Sequence, residues 1–196
     1  MKTHKKQITA GWLVVIGMAS AVLAGCSSGP SKGDLKDGLA EFFKAKPQDV
    51  CWNVENSAAV QWPIRIALQG MDKGQIAILN GVKASGVADI TEAPNVTAFG
   101  TMGTVLTITL TEKGKDAKAW DPQKGFCVGT KQVKDVTEFT EPGKDGENVT
   151  DVKFTWQLDD LPSWVDRSKF PAIVGMTEPV ADETLMQKTN NGWRVQ

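Results

Sequence analysis

A basic segment followed by a short apolar run at the N-terminus decides which residues are left to fold. Lys2, Lys5 and Lys6 precede an apolar run at residues 10–22. This run is too short to cross a hydrocarbon core comfortably, which takes roughly 20 residues. A basic start, a short apolar run and small residues at a cleavage site are typical of a secretory signal, although an uncleaved membrane anchor is the alternative. We therefore expect residues 1–25 to be removed.

The residues that close this run, Leu23-Ala24-Gly25-Cys26, resemble the lipobox of bacterial lipoproteins. The resemblance implies cleavage before Cys26 and acylation of that cysteine, palmitate included. Several acyl chains hold a protein on a membrane stably, whereas one chain does so only marginally. Ser27 is similar to the residue found after the cysteine in lipoproteins of the Gram-negative outer membrane. The resemblance thus implies a periplasmic protein anchored in the outer membrane, with residues 26–33 as a lipidated tether.

The composition of the remaining chain excludes several classes of function. Without the signal, 19 basic residues face 23 acidic ones, a formal charge of about −4, which does not suit nucleic-acid binding. The only histidine, His4, lies in the signal. Ser-His-Asp and Cys-His catalysis need imidazole, and catalytic zinc sites depend heavily on it. We predict a protein that is not an enzyme and has no metal site, no cofactor and no nucleic-acid partner.

Two cysteines remain once Cys26 is acylated. Cys51 and Cys127 form an even pair, and a protein outside the cytoplasm folds under oxidising conditions. We predict a disulfide between them, and two separate buried thiols are the alternative. The bridge would close a loop of about 76 residues, for which the chain-entropy model gives on the order of 4 kcal/mol of stabilisation.

Two segments show helical spacing of apolar residues. Residues 34–46 place Leu35, Leu39, Phe42 and Phe43 on one face, with Ser31 or Asp34 able to cap the start. Residues 75–84 show a partial apolar stripe, and Gly86 is a stop signal. A further short helix is predicted at residues 182–188, with a strand as the alternative.

Strand patterns dominate the second half of the chain. Alternating or β-branched residues predict strands in five segments. These are residues 50–54, 60–68, 104–111, 126–140 and 149–158, of which the last two are predicted to pair as a hairpin. Pro63 would place the segment at residues 60–68 at a sheet edge, and the segment at residues 126–140 is long enough to contain a bulge. A charged loop at 114–116 and a closing strand at 193–195 are also predicted. We predict an α+β fold: an N-terminal helix or helices followed by a mainly antiparallel β-sheet, in a single domain of residues 34–196.

Three short stretches resemble known modules. The end of the chain, Asn191-Gly192-Trp193-Arg194-Val195, is similar to the last strand of cystatin-like or NTF2-like domains. A rival resemblance is to winged-helix modules, in which a helix ending near residues 83–87 leads into a strand near residues 110–114. Residues 126–129 and 139–142 resemble segments of uncharacterised bacterial envelope proteins, and this resemblance implies no activity.

Tryptophan and acidic residues are the candidate site residues. Six tryptophans and no tyrosine follow the signal, and aromatic platforms suit sugars or protein partners. Trp120 and Trp164 lie beside proline and aspartate in loop-like contexts, so they are candidates for exposed partner binding, with core packing as the alternative. Residues 145–148 and 159–160 could hold calcium or form a carboxylate pair, but solvated acids are the simpler interpretation.

These observations favour a non-enzymatic protein-binding or assembly module, attached to the membrane through its lipid and partnered with another envelope protein. The alternative is an inhibitor of a lysozyme-like or other wall-active enzyme. An enzyme that acts on glycan through carboxylates is the third hypothesis.

Overall fold

The computed structural model describes residues 29–54, 60–96, 102–143 and 148–196. The predicted signal peptide and Cys26 therefore lie outside the described residues. In these ranges the elements are, in chain order, α1 (Lys32–Ala45), β1 (Asp49–Trp52), β2 (Ile64–Ala67), α2 (Lys73–Ser85), β3 (Ala88–Val96), β4 (Met102–Leu110), α3 (Glu112–Asp116), β5 (Phe126–Phe139), β6 (Val149–Asp159), a 3-10 turn (Arg167–Lys169), β7 (Val180–Thr189) and β8 (Gly192–Val195).

The larger sheet has five antiparallel strands in the order β1-β5-β6-β7-β8. Strands β5 and β6 form the predicted hairpin, and two register shifts between Val133 and Glu138 supply the predicted bulge. Along β6 the expected alternation is present, since Val152, Phe154 and Leu158 are buried. The period-2 pattern of the sequence therefore set the inner face of this sheet correctly.

The smaller sheet has three antiparallel strands in the order β2-β4-β3. Strand β2 begins directly after Pro63 and lies at the edge, as predicted, since proline has no N–H for a second neighbour. Leu106 and Ile108 on β4 face inward. Buried residues of both sheets belong to one hydrophobic cluster, so the two sheets share a core.

Helix α1 confirms the first predicted helix, and Ser31 is its cap. The hydroxyl of Ser31 accepts a hydrogen bond from the N–H of Asp34 at 3.1 Å, and the Asp34 carboxylate accepts one from the N–H of Ser31 at 3.0 Å. This reciprocal pair satisfies two backbone donors that a helix start leaves free. Leu35, Leu39 and Phe43 are buried against the large sheet.

A glycine seats α1 on the sheet. A Cβ atom added to Gly38 would overlap the carbonyl oxygen of Trp193 and lie 2.6 Å from Cε of Met186. The helix can therefore approach β7 and β8 closely only because position 38 has no side chain. This contact explains why a residue of low helix propensity stands in the middle of α1.

Helix α2 confirms the second predicted helix. Asp72 caps its start by accepting from the N–H of Gln75 at 2.8 Å, and Gly86, with φ of 71°, ends it in the left-handed conformation as predicted. Ile78, Leu79 and Val82 are buried. The helix contacts β1, β3 and β5, so it lies between the two sheets.

Several sequence expectations are wrong. Residues 182–188 belong to strand β7 and not to a helix, and residues 114–116 lie in helix α3 and not in a loop. Strand β3 was not predicted. The helices are not grouped at the N-terminus, because β1 and β2 precede α2 and four strands precede α3. The coarser expectation of helices together with antiparallel sheet is confirmed.

Candidate functional site

The N-terminal part of the described chain runs back along the whole of β5. At the start of α1, Nζ of Lys32 donates to the carbonyl oxygen of Thr137 at 2.9 Å. At the end of β1, Trp52 pairs with Phe126, the first residue of β5. Residues 126 and 137 are about 36 Å apart along a strand at roughly 3.3 Å per residue, slightly less across bulges. The start of α1 and the start of β5 thus lie at opposite ends of the sheet.

The predicted disulfide between Cys51 and Cys127 is confirmed. The two residues are directly opposite each other in the β1–β5 ladder, and the bridge links positions 76 residues apart in sequence. It fixes strand β1, which has only four residues, to the long strand β5. We call this region, where β1 ends and β5 begins, the disulfide end of the sheet.

An aromatic cluster fills the disulfide end. Phe126 is fully buried at its centre and contacts four tryptophan rings, with centroid distances between 5.1 and 6.4 Å. Phe170 joins the cluster through Trp164 at 5.9 Å. The members are Trp52, Trp62, Trp120, Phe126, Trp164 and Phe170.

The two tryptophans singled out from the sequence differ in their surroundings. Trp164 is only 6% exposed, so the expectation that it is an exposed contact is wrong, and the packing alternative describes it. Trp120 is half-buried and meets the half-buried Trp62 edge to face at 5.3 Å. Trp62 was not singled out, and its position directly before the edge-strand Pro63 was the available signal.

A cavity of about 230 Å³ lies beside the aromatic cluster, and we call it the polar cleft. Trp164 and Cys127 both line it, so a predicted aromatic residue and a predicted disulfide residue meet there. Charged and hydroxyl side chains dominate the rest. They are Asp49, Lys118, Asp121, Lys124, Thr130 and Asp160.

Two of the cleft carboxylates are held in the ionised form. Asp49 accepts from Nζ of Lys124 at 2.7 Å and from the hydroxyl of Thr130 at 2.8 Å, and the bond from Lys124 is the main reason that its pKa is lowered. Asp121 accepts from the N–H groups of Gln123 and Lys124 at 2.7 and 2.9 Å, which lowers its pKa as well. Both groups therefore carry negative charge at neutral pH.

Unusual backbone conformations also occur at the cleft. Lys118 and Asp160, with φ of 50° and 51°, are the non-glycine residues with positive φ in the described part of the chain, and both line this cavity. Such conformations cost about 1–3 kcal/mol and cluster at functional sites. Asp160 accepts from Nε2 of Gln132 at 3.0 Å. The ammonium of Lys118 has no hydrogen bond or ion pair with the described residues, so it is available to a ligand.

This arrangement suits ionic and hydrogen-bonded contacts better than proton transfer. A general acid at neutral pH needs a raised pKa, whereas Asp49, Asp121 and Asp159 have lowered ones. Asp159 is paired with Nζ of Lys134 at 2.7 Å. Within the described ranges no group of three or more histidine, cysteine or acidic residues could hold a metal ion. The other acidic candidate from the sequence is residues 145–148, and residues 145–147 of it lie outside the described ranges.

Comparison of the chain with protein-family models, with curated proteins and with solved structures finds no match in any of the three. The lipoprotein, cystatin-like, NTF2-like and winged-helix resemblances therefore stay predictions. Among the described residues, the helices are all too short or too polar to span a bilayer.

Proposed function

We propose that this chain is a lipid-anchored protein of the bacterial envelope whose folded part binds another envelope protein without catalysing a reaction. The observation that carries the proposal is the sequence Leu23-Ala24-Gly25-Cys26 at the end of a short apolar run. The disulfide between Cys51 and Cys127 agrees with this location, because such bonds persist outside the reducing cytoplasm. The outer membrane is the proposed site of anchorage, on the basis of Ser27.

The fold supports a division of the molecule into an anchored end and a binding end. Only residues 27–31 would separate the acylated Cys26 from α1, and five residues span at most about 18 Å. The start of α1 would therefore be held close to the membrane. The disulfide end, with the polar cleft, lies at the other end of β5 and would face away from the anchor.

The side chains at that end have the composition of a binding surface. Half-buried Trp62 and Trp120 lie in the aromatic cluster next to the polar cleft, which offers an ammonium from Lys118 and a carboxylate from Asp160. Aromatic residues and charged groups that lie together in a concave site are typical of protein-binding hot spots. No histidine follows the signal, which also favours binding over acid–base catalysis.

Lipid labelling in bacterial cells tests the anchor. Cells that express the chain are grown with an alkyne analogue of palmitate, and the label on the purified protein is measured. We expect the wild type and a Ser27→Ala control to be labelled and Cys26→Ser to be unlabelled. Label that persists in Cys26→Ser, or its absence from the wild type, would contradict lipidation at this cysteine.

Affinity capture from detergent-solubilised envelopes tests the binding end. The full-length tagged chain is compared with Lys118→Asn/Asp160→Asn, because asparagine tolerates positive φ and removes both charges. The matched control, Lys44→Asn/Asp37→Asn, changes the same charges on the exposed face of α1. We expect one envelope protein to be retained by the wild type and the control and to fall at least tenfold with the cleft variant.

Equal retention by all three baits would exclude the polar cleft as the binding site. Retention of a wall hydrolase whose activity the purified chain lowers would favour the inhibitor alternative instead.

A further inference from the structure

A second concave surface lies on the outer side of α2. A groove of about 670 Å³ runs between this helix and residues 168–172, and we call it the α2 groove. Most of the surface that lines it is apolar. The apolar residues are Ile76, Ala77, Ala84, Phe170, Pro171 and Ala172.

Helix α2 contributes a complete stripe of side chains to this groove. Positions 73, 76, 77, 80 and 84 line it, which is the spacing of neighbours on one helix face. The stripe extends from residue 73 to residue 84, about 16 Å at 1.5 Å per step along the helix. Ile78, Leu79 and Val82 are already buried on the inner face of the helix. The helix therefore has a second, largely apolar face that the described residues leave open.

The opposite wall of the groove is held in place by defined contacts. Arg167 donates to the carbonyl oxygens of Met176 and, at 2.8 Å, of Leu158 at the end of β6. Phe170 is 1% exposed and its ring lies against Gly81 on α2. Because these bonds fix residues 167–176, the groove is formed before any partner arrives, and binding would cost little ordering of the protein.

The charge that the groove offers is positive. Its charged lining residues are Lys73, at the start of α2, and Lys169, in the opposite wall. The nearby carboxylates do not line it and are already bonded, since Asp72 caps α2 and Asp166 accepts from the N–H and hydroxyl of Ser168 at 3.0 and 2.8 Å. Val174, two residues after Ala172, is 65% exposed.

We propose that the α2 groove docks an amphipathic helix of a partner protein, with its apolar face in the groove and its acidic side chains beside Lys73 and Lys169. A stripe of about 16 Å matches three turns of helix, and helix-in-groove recognition uses anchors at i, i+3, i+4 and i+7. The groove adjoins the aromatic cluster through Phe170, and thus lies toward the disulfide end, away from the start of α1. The membrane that the anchor would enter is therefore not its natural occupant.

This inference deepens the proposed protein-binding function and rests on it for the nature of the partner. Selection from a displayed library of random 16-residue peptides against the full-length chain in detergent micelles is the test. Enriched peptides are synthesised, and their Kd is measured by fluorescence anisotropy. We expect them to carry apolar residues at i, i+3, i+4 and i+7 with aspartate or glutamate on the flanks.

Variants place the binding in the groove. Lys73→Glu/Lys169→Glu reverses both rim charges, and Ala84→Trp fills an exposed position of the groove without changing charge. Each should raise the Kd at least tenfold. The matched control Lys44→Glu/Lys188→Glu reverses two exposed lysines elsewhere and should change the Kd less than twofold.

Three results would overturn the proposal: no enriched peptide, enriched peptides without acidic residues, or binding that neither groove variant weakens. Binding of phosphatidylglycerol vesicles through Lys73 and Lys169 in the absence of peptide binding would assign the groove to a membrane surface instead. Palmitate labelling and the polar-cleft variants test the proposed function with other residues. Failure of the groove proposal is therefore distinguishable from failure of the proposed envelope function.

Discussion

The two long helices of this protein, α1 and α2, differ in the residues on their outer faces. On α1 the inner face is buried and the outer face is polar, with Glu41 paired to Nη2 of Arg194 at 2.7 Å and Lys44 in solvent. On α2 the inner face is equally buried, but the outer face presents Ile76 and Ala77 to the groove. A cavity of about 270 Å³ also opens beside Phe42 and Phe43 of α1, but the groove on α2 is larger. The difference indicates that α2 leaves more apolar surface for another molecule than α1 does.

Both helices nevertheless are seated through a glycine. Gly38 of α1 faces the backbone carbonyl of Trp193 on β8, and Gly81 of α2 faces the ring of Phe170. The neighbour of Gly38 is sheet backbone, which cannot move alone, whereas the neighbour of Gly81 is a side chain in a loop. Both helices thus depend on close packing at one glycine, against strand backbone for α1 and against a buried ring for α2.

The largest expected effect comes from removing the disulfide that joins β1 to β5. The Cys51–Cys127 bridge fixes β1, which follows α1 in sequence and contacts α2. We expect Cys51→Ser/Cys127→Ser to lower the free energy of unfolding by about 4 kcal/mol, measured by urea titration. Reduced wild type is the control and should behave like the double variant. A loss below about 1 kcal/mol would mean that β1 is held mainly by its other contacts.

Substitution of the two buried helix glycines should give the next largest loss of stability. It tests directly how the packing of α1 differs from that of α2. We expect Gly38→Ala and Gly81→Ala each to lower the free energy of unfolding by about 1–3 kcal/mol through overpacking, although alanine alone favours a helix by about 1 kcal/mol. The loss should be greater at Gly38, and only Gly81→Ala should also weaken peptide binding in the groove.

Gly33→Ala is the matched control, because its Cβ would lie 3.5 Å from the Ser31 hydroxyl, an ordinary contact. A stabilised Gly38→Ala variant would show that α1 is not seated as closely as described.

The helix caps should have a smaller effect. Ser31→Ala removes a reciprocal cap from α1, and Asp72→Ala removes a single cap from α2. Each should cost about 1 kcal/mol, with Ser31 at the upper end because its hydroxyl both accepts from the N–H of Asp34 and donates to the Asp34 carboxylate. Urea titration measures both, and Ser31→Thr, which keeps the hydroxyl, should restore most of the loss. Equal stability of the alanine and threonine variants would exclude the capping role.

The smallest effect is a dependence of stability on acid pH at the disulfide end. Lys124 lowers the pKa of Asp49 below its ordinary value of 3.8. Because the folded-state pKa is the lower one, this contribution is present above pH 3.8 and is lost as the pH falls through the folded value. Asp49→Asn should therefore flatten the fall in stability below about pH 4. Lys124→Met should do the same, and combining the two should add little. An unchanged acid profile in Asp49→Asn would contradict this coupling.

The sequence was informative wherever burial alternates with a clear period. The stripe of α1, the hairpin of β5 and β6 and the edge strand after Pro63 all follow from local spacing. The disulfide followed from counting cysteines, since Cys51 and Cys127 are the two left by the expected acylation of Cys26.

Other parts depend on pairing that no local pattern reveals. Strand β7 carries Glu, Leu, Gln and Lys, which favour a helix, and Met186 is its one fully buried residue, so pairing with β6 and β8 overrides propensity there. Strand β3 contains Asp89, Glu92 and Pro94 on an exposed edge, which hides the strand pattern. The polar cleft could not be predicted because it is assembled from segments near residues 49, 118–130 and 160–164.

The path of the chain along β5 has a mechanical consequence. A pull on the N-terminus, such as a lipid anchor would transmit, loads α1 first and then the β1–β5 ladder along its length. While the rest of the large sheet stays folded, extraction of the chain stops at Cys51, because the covalent link to Cys127 passes the force directly into β5. Only residues 29–50 can be drawn out, about 75 Å of extended chain at roughly 3.4 Å per residue. The protein therefore has a built-in limit on extension, and single-molecule stretching should record a first step that lengthens once the bridge is reduced.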